Sequence, residues 1–309
     1  MHDLEFEDEK SPATTTVLLP QYWGSGLMGI RHAVAAHDPT DDITRAVRRD
    51  AYQFVDSDEA NSDAFDFFTR EAASMSASFV SELSDAIGAN EAATFCDTIA
   101  VDWYRGERDT GRPLQLRRSV YEYLQSIAKG ANASALTQVG GPLDGVRGLV
   151  AAHAIQEILV LTGQFLHQHL HRWQEEHPEG LFMGSSEIYF GRGLSVGEPI
   201  DVAKPYKEWD YINSYSLGIS VREKFSAESR RNTSGDTKVR VMISGDWHLF
   251  DDRVLFFSPF IPKMQPRELE LGIIPSSKSL PIFGQGLHAG IYEYVIDEKP
   301  LDDERFFND

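Results

Sequence analysis

The sequence has one cysteine and no long apolar segment. Cys96 is the only cysteine among 309 residues, which excludes an internal disulfide framework and a metal site built from several cysteines. It lies in a helical-looking stretch, which favours a small buried residue over a nucleophile. No apolar run approaches the roughly 20 residues of a transmembrane helix. The acidic first residues do not resemble a signal peptide, so we expect a cytoplasmic protein with no membrane partner. Delivery by a dedicated secretion system stays open.

Lysine is also scarce. The chain has 48 acidic and 29 basic residues, for a net charge of −19, and only 9 of the basic residues are lysines. Such a surface is typical of proteins from high-salt cytoplasms, where screening weakens the repulsion between carboxylates. An ordinary acidic mesophilic protein fits the same composition. Both alternatives disfavour duplex nucleic acid as a partner, because affinity for phosphate backbones comes largely from Lys and Arg.

Several common sites have no sequence signal. There is no Gly-rich phosphate loop and no Gly-x-Ser-x-Gly nucleophile elbow. His167 and His171 share one face of a predicted helix that also carries His169, with His153 and His177 further away. A metal ion could bridge the first two. Because no third ligand is identifiable, we expect no metal, and a solvated helix face or helix-end packing is favoured instead.

The chain divides by pattern into a leader, a helical region and a strand-rich region. Residues 1–16 have no apolar period and are expected to be a disordered leader. Helical spacing predicts helices at 43–55, 65–87, 90–104 with Asn90 as N-cap, 114–128 and 143–176, all within a helical region at 17–180. In the region 181–309, strands are predicted at 187–190, 217–221, 238–244, 253–257, 269–274 and 291–296, with a helix at 202–210. The fold class is therefore α+β.

Three short motifs in the second half fit one kind of chemistry. Arg192 lies on an apolar strand, Ser214-Tyr215-Ser216 follows, and Glu268-Leu269-Glu270 comes last. A strand alternates its faces with period two, so the two glutamates are expected to project side by side. The guanidinium offers a planar fork for a diphosphate. A cation for phosphates, a hydroxyl to hold an acid and a carboxylate pair suit a nucleotide-cleaving transferase.

In this order and spacing, the motifs resemble the arginine–serine–glutamate clade of mono-ADP-ribosyltransferases, over residues 185–296. The resemblance implies an ADP-ribosyltransferase-like β-sandwich that follows the helical region. It also implies NAD as a substrate, release of nicotinamide, and transfer of ADP-ribose to a protein or small-molecule acceptor. An arginine is the favoured acceptor, because that preference accompanies Glu-x-Glu in the family. A toxin-like or defence effector would fit, with an immunity protein among its partners.

The resemblance also implies roles for individual residues. Arg192 would bind the diphosphate and ribose of NAD, and the Gly193 backbone would face the nicotinamide amide. Ser214 would hydrogen-bond the catalytic carboxylate, and with Ser216 would line the cofactor site. Glu270 would hold the ribose 2′-hydroxyl and stabilise the oxocarbenium-like cation.

Two further roles follow from the same resemblance: Glu268 would orient and deprotonate the acceptor, and Phe260 would recruit it. Tyr215 departs from the family, which has a smaller residue there, and its ring would block the cleft if it pointed inwards. A second Tyr-Arg-Gly, at Tyr104, Arg105 and Gly106, ends a predicted helix, so a capping or surface role is favoured for Arg105.

Each of these residues could instead have a purely structural role. Arg192 could form a surface salt bridge, the serines could be turn hydroxyls, and the glutamates could be the solvated face of an edge strand. Phe260 suits core packing better than recruitment. The competing function is a non-catalytic interaction or structural protein with a degenerate version of the fold. A third, weaker alternative is a His-rich metal-binding helical module.

Overall fold

The structure is a computed structural model that describes residues 58–104, 108–128, 143–176, 189–208, 210–217, 239–264, 269–276, 280–288 and 290–296. Helices occupy the first half of these residues and a mixed sheet occupies the second. The predicted α+β arrangement is therefore confirmed. The predicted leader, the helix at 43–55 and residues 177–188 lie outside the described ranges. No described helix is long and apolar enough to cross a membrane.

Within the described residues, four α-helices precede the sheet: α1 (Asp58–Ile87), α2 (Ala89–Asp97), α3 (Gly111–Ile127) and α4 (Ala152–Glu176). A π-helical turn at Thr98–Trp103 continues directly from α2. Helix α1 ends where predicted, at Gly88, whose φ of 95° suits a residue without a Cβ. Asn90 is not the N-cap, because Gly88 takes that position.

Helix α4 begins nine residues later than predicted. The Ser119 hydroxyl donates to the Val150 carbonyl at 2.7 Å, and the Val150 N–H donates back to the same hydroxyl at 3.0 Å. These bonds hold the backbone before Ala152 in a non-helical conformation against α3. A side chain has thus replaced the local helical hydrogen bonds, which hydrophobic spacing alone does not reveal.

The part of the chain that the structure describes contains seven strands: β1 (Tyr189–Val196), β2 (Asn213–Ser216), β3 (Val239–Asp246), β4 (Val254–Phe257), β5 (Glu270–Ile273), β6 (Ile282–His288) and β7 (Ile291–Ile296). They form one hydrogen-bonded sheet in the order β4-β5-β2-β1-β3-β7-β6. Strands β3 and β7 pair in parallel, and the other neighbours are antiparallel. The sheet is therefore mixed, as predicted.

One prediction in this half was wrong. Where a helix was predicted at 202–210, residues 201–208 form a turn and an extended segment, in which Tyr206 pairs with Leu280 in an isolated bridge. This bridge uses backbone groups that a helix would satisfy internally. Strand β2 lies at 213–216. Of the strand predicted at 217–221, residues 218–221 lie outside the described ranges, so it stays a prediction.

An aromatic core joins the helices to the β4 edge of the sheet. Phe260, in the 3₁₀ turn after β4, stacks on Phe79 of α1 at 5.6 Å between ring centroids and meets Phe165 of α4 at 5.7 Å. On β4 itself, Phe256 packs edge-on against Trp103 at 5.9 Å. Each of these rings except Phe165 is fully buried. The π-helical turn is thereby fixed beside strands β4 and β5.

Candidate active site

Glu270 is a buried carboxylate held by groups from three parts of the chain. It is the first residue of β5 and is 6% exposed. Ser214 of β2 donates its hydroxyl to Oε1 at 2.6 Å, as predicted, and Trp103 donates Nε1–H to the same oxygen at 3.2 Å. The backbone N–H of Glu270 donates to the Ser258 hydroxyl at 3.0 Å. Backbone and side chain are therefore both positioned.

The residue before Glu270 has an uncommon backbone. Leu269 has a φ of 42°, in the left-handed region that a residue with a Cβ enters at a cost of about 1–3 kcal/mol. Such strain clusters at functional sites. It also removes the basis for placing Glu268 and Glu270 side by side, because period-two alternation requires an extended residue between them. Glu268 itself lies outside the described residues.

The strand register determines which candidate residues share a face with Glu270. Ser216 pairs with Glu270 across β2 and β5, and Gly191 of β1 pairs with Ser216. Directly paired residues project to the same side of a sheet. Gly193, two residues along β1, belongs to this face as well. Ser216 is buried, at 4% exposure.

Arg192 projects to the opposite face, so the predicted convergence of Arg192 with Glu270 is not observed. Its Nη1 donates to the Asn213 Oδ1 at 2.6 Å, and its guanidinium carbon lies 5.5 Å from the centre of the Tyr215 ring. Asn213 and Tyr215 alternate with Ser214 and belong to this other face. The pairing of β1 with β2 causes this: Gly191, and not Arg192, lies opposite Ser216, and neighbouring residues of a strand project to opposite faces.

Tyr215 does not obstruct the face that carries Glu270. Its ring is 1% exposed, packs 5.0 Å from Phe250, and its hydroxyl shares a 3.2 Å hydrogen bond with that of Tyr206. Burial raises the pKa of Tyr215 well above its ordinary value, so the phenol stays neutral. The departure from the family pattern is thus accommodated in the core.

Phe260 is a core residue, which corrects its predicted role in recruiting the acceptor. The ring is 0% exposed and lies among Phe79, Phe165 and Phe257. A ring without accessible surface cannot contact an incoming protein unless the core opens. The core-packing alternative is what the structure shows.

Two residues of the helical half reach Glu270 without any sequence signal. Besides Trp103, Arg108 places Nη2 3.5 Å from Oε1, and its guanidinium carbon lies 4.4 Å from the centre of the Trp103 ring. Trp103 and Glu270 are 167 residues apart in the chain. No local pattern could reveal such a contact. Arg105 and Gly106 lie outside the described residues.

The histidines of α4 and Cys96 lie in surroundings that suit packing and surface contacts. The rings of His167 and His171 are 6.5 Å apart, with His167 against Trp247 and His171 beside Glu175. Within the described ranges, no group of three or more His, Cys, Asp or Glu side chains could hold a metal ion. Cys96 is buried, and burial raises the pKa of its thiol to about 12.

Comparison with known proteins adds one structural likeness. No protein-family model matches the chain, and no curated protein matches its sequence. Among solved structures, the chain is similar to a crystal structure of the ADP-ribosyltransferase Vis in complex with the M6 inhibitor. The TM-score is 0.32 and the identity 13%, over 76% of this chain and 86% of the other. At this level the likeness establishes neither a shared fold nor a shared activity.

Proposed function

We propose that the chain is an NAD-dependent mono-ADP-ribosyltransferase, of the toxin-like or defence-effector type, that releases nicotinamide and favours a guanidinium acceptor. The observation that carries the proposal is the fixed carboxylate of Glu270. Ser214 and Trp103 both donate to Oε1, and the backbone N–H is bound by Ser258. Because the side chain of Glu270 is already held in place, it can stabilise a developing positive charge without the free-energy cost of reorienting during the reaction.

The hydrogen bonding of Glu270 leaves one oxygen for a substrate. Among the described residues, the hydrogen bonds and the ion pair that side chains make with this carboxylate all fall on Oε1. Oε2 can therefore accept the 2′-hydroxyl of the nicotinamide ribose. The negative charge would then lie beside the ribose carbon that becomes cationic as nicotinamide leaves, which is the electrostatic principle of glycoside hydrolysis.

The face of the sheet on which a residue lies determines whether it can contact NAD bound at Glu270. Gly193 and Ser216 lie on the face of Glu270 and suit contacts with the nicotinamide half of NAD. Arg192 would reach the diphosphate only if its guanidinium left Asn213 and crossed to this face. Glu268 keeps its proposed role as the residue that orients and deprotonates the acceptor.

Transfer can be tested with NAD labelled in its adenylate portion and a guanidino acceptor such as agmatine. We expect labelled acceptor to form with the wild type and not with Glu270→Gln. Nicotinamide release without labelled acceptor would indicate a hydrolase and contradict the transfer step. An amine acceptor of similar length, putrescine, is the matched control for guanidinium preference.

A second function is favoured by the position of Arg192. A guanidinium that hydrogen-bonds Asn213 and packs over Tyr215, away from Glu270, suits a structural role. The chain would then be a non-catalytic interaction protein with a degenerate version of the fold. Absence of NAD binding by the folded wild type would favour this function over catalysis.

A further inference from the structure

We propose that the face of the Trp103 ring, together with the neighbouring Glu270 Oε1, forms a guanidinium subsite, and that Arg108 of the chain itself fills it. The inference rests on the proposed function, in which Glu270 is catalytic and a guanidinium is the favoured acceptor. It adds that the acceptor position has an internal occupant, with which an external arginine side chain or small alkyl guanidine must compete.

The geometry is that of guanidinium recognition. The Arg108 guanidinium carbon lies 4.4 Å from the centre of the Trp103 ring, and Nη2 lies 3.5 Å from Glu270 Oε1. An aromatic face and a carboxylate are the two surfaces that a planar guanidinium binds best. Because Trp103 is fully buried and donates to the same Oε1, the ring and the carboxylate form one rigid unit. The hydrogen bond between the ring and the carboxylate, and the packing of Phe256 against Trp103 at 5.9 Å, hold the subsite by contacts that do not involve the Arg108 side chain.

The backbone at Arg108 is fixed by a buried arginine of α3. Arg117, which is 4% exposed, donates Nη1 to the Arg108 carbonyl at 3.4 Å and to Asp109 Oδ1 at 2.6 Å. Its Nη2 lies 2.7 Å from Asp210 Oδ1, which also accepts the N–H of Tyr211 just before β2. Arg117 thus ties the segment of Arg108 to the strand that carries Ser214.

The Arg108 side chain itself is held less firmly than its backbone. Its side chain is 40% exposed, against 8% for that of Glu270. A half-exposed ion pair contributes little and is screened by salt. The guanidinium can therefore leave the subsite while the backbone stays in place. While it is seated, Arg108 and an external guanidinium exclude each other, since both require the Trp103 ring and Oε1.

The consequence is competition within one molecule. A tethered group acts at an effective concentration on the order of millimolar. The gain on removing Arg108 equals the stability of its seated side chain, so we expect Arg108→Ala to bind an external alkyl guanidinium roughly threefold to fivefold more tightly than the wild type. The same variant should also use that guanidinium more efficiently as an acceptor, with a lower KM.

The test is calorimetric titration of agmatine, without NAD, into the wild type, Arg108→Ala and Arg112→Ala at low salt. Arg112 is the matched control, because its side chain is also 40% exposed but pairs with Asp102 at 2.6 Å. We expect tighter binding only in Arg108→Ala, loss of that gain when Glu270→Gln is added, and no gain for putrescine. Arg108→Gln serves as a second variant should the alanine change disturb folding.

The outcomes separate this inference from the proposed function. If Arg108→Ala binds agmatine no more tightly than Arg112→Ala does, or binds putrescine equally well, the guanidinium subsite is wrong even if nicotinamide release is normal. If Arg108→Ala gains the agmatine site but no variant releases nicotinamide, the subsite stands and the transferase function fails. If Arg108→Ala lowers nicotinamide release tenfold, Arg108 assists NAD cleavage and is not a competitor.

Discussion

Ser214→Ala is the substitution that most sharply tests how Glu270 is positioned. It removes a hydroxyl that donates to Glu270 Oε1 at 2.6 Å. A hydrogen bond to a charged group contributes about 1.5–3 kcal/mol. Because Trp103 and Arg108 still contact the same oxygen, we expect the lower end of this range. About 1.5 kcal/mol corresponds to roughly a tenfold lower kcat for nicotinamide release.

The loss should fall on kcat with little change in KM. Ser214 acts on the orientation of the carboxylate, and the carboxylate charge matters most in the transition state. Steady-state nicotinamide release over a range of NAD concentrations separates the two parameters. Ser84→Ala is the control, since this partly buried hydroxyl donates to the Val80 carbonyl within α1 at 2.7 Å. An unchanged kcat in Ser214→Ala, or an equal loss in both variants, would refute the positioning role.

Three further predictions concern stability and reactivity. Gly272→Ala should lower the free energy of unfolding by about 1–3 kcal/mol, measured by urea denaturation, because a Cβ there would meet the ring of Phe256. Arg253→Met should lower the free energy of unfolding by about 3–5 kcal/mol, and with it Tm, because Glu208 then stays buried without the cation that pairs with it at 2.8 Å. Adding Glu208→Gln should recover part of the loss. The Cys96 thiol, with its pKa raised by burial to about 12, should react with thiol reagents at pH 8 far more slowly in the folded protein than in urea, and equal rates would contradict its burial.

Local patterns predicted the parts of the fold and site that depend on neighbouring residues. The resemblance carried by the Ser-x-Ser and Glu-x-Glu motifs implied Ser214 as the partner of Glu270, and the structure confirms that contact. The switch from helical to strand-like spacing after residue 180 predicted the α+β arrangement. Strand β6 was missed, because two glycines in its seven residues give it a weak strand signal.

Long-range features could not be predicted in the same way. The face of Arg192 depends on the register between β1 and β2, which a single pair, Gly191 with Ser216, fixes. The left-handed φ of Leu269 breaks the alternation that was assumed for the two glutamates. The contacts of Trp103 and Arg108 with Glu270 join distant parts of the chain through tertiary packing. Each of these depends on chain segments that meet only after folding.

The most direct test of the central claim is nicotinamide release from NAD by the wild type, Glu270→Gln and Glu293→Gln, at low and at multimolar salt. Glu293 is the matched control: it is 3% exposed, lies on β7, and is four strand spacings from β5, or roughly 19 Å away. We predict release by the wild type, a loss of at least about 100-fold in Glu270→Gln, and near-normal release in Glu293→Gln. Release that survives Glu270→Gln, or no release and no NAD binding by the folded wild type at either salt, would contradict the catalytic role of Glu270.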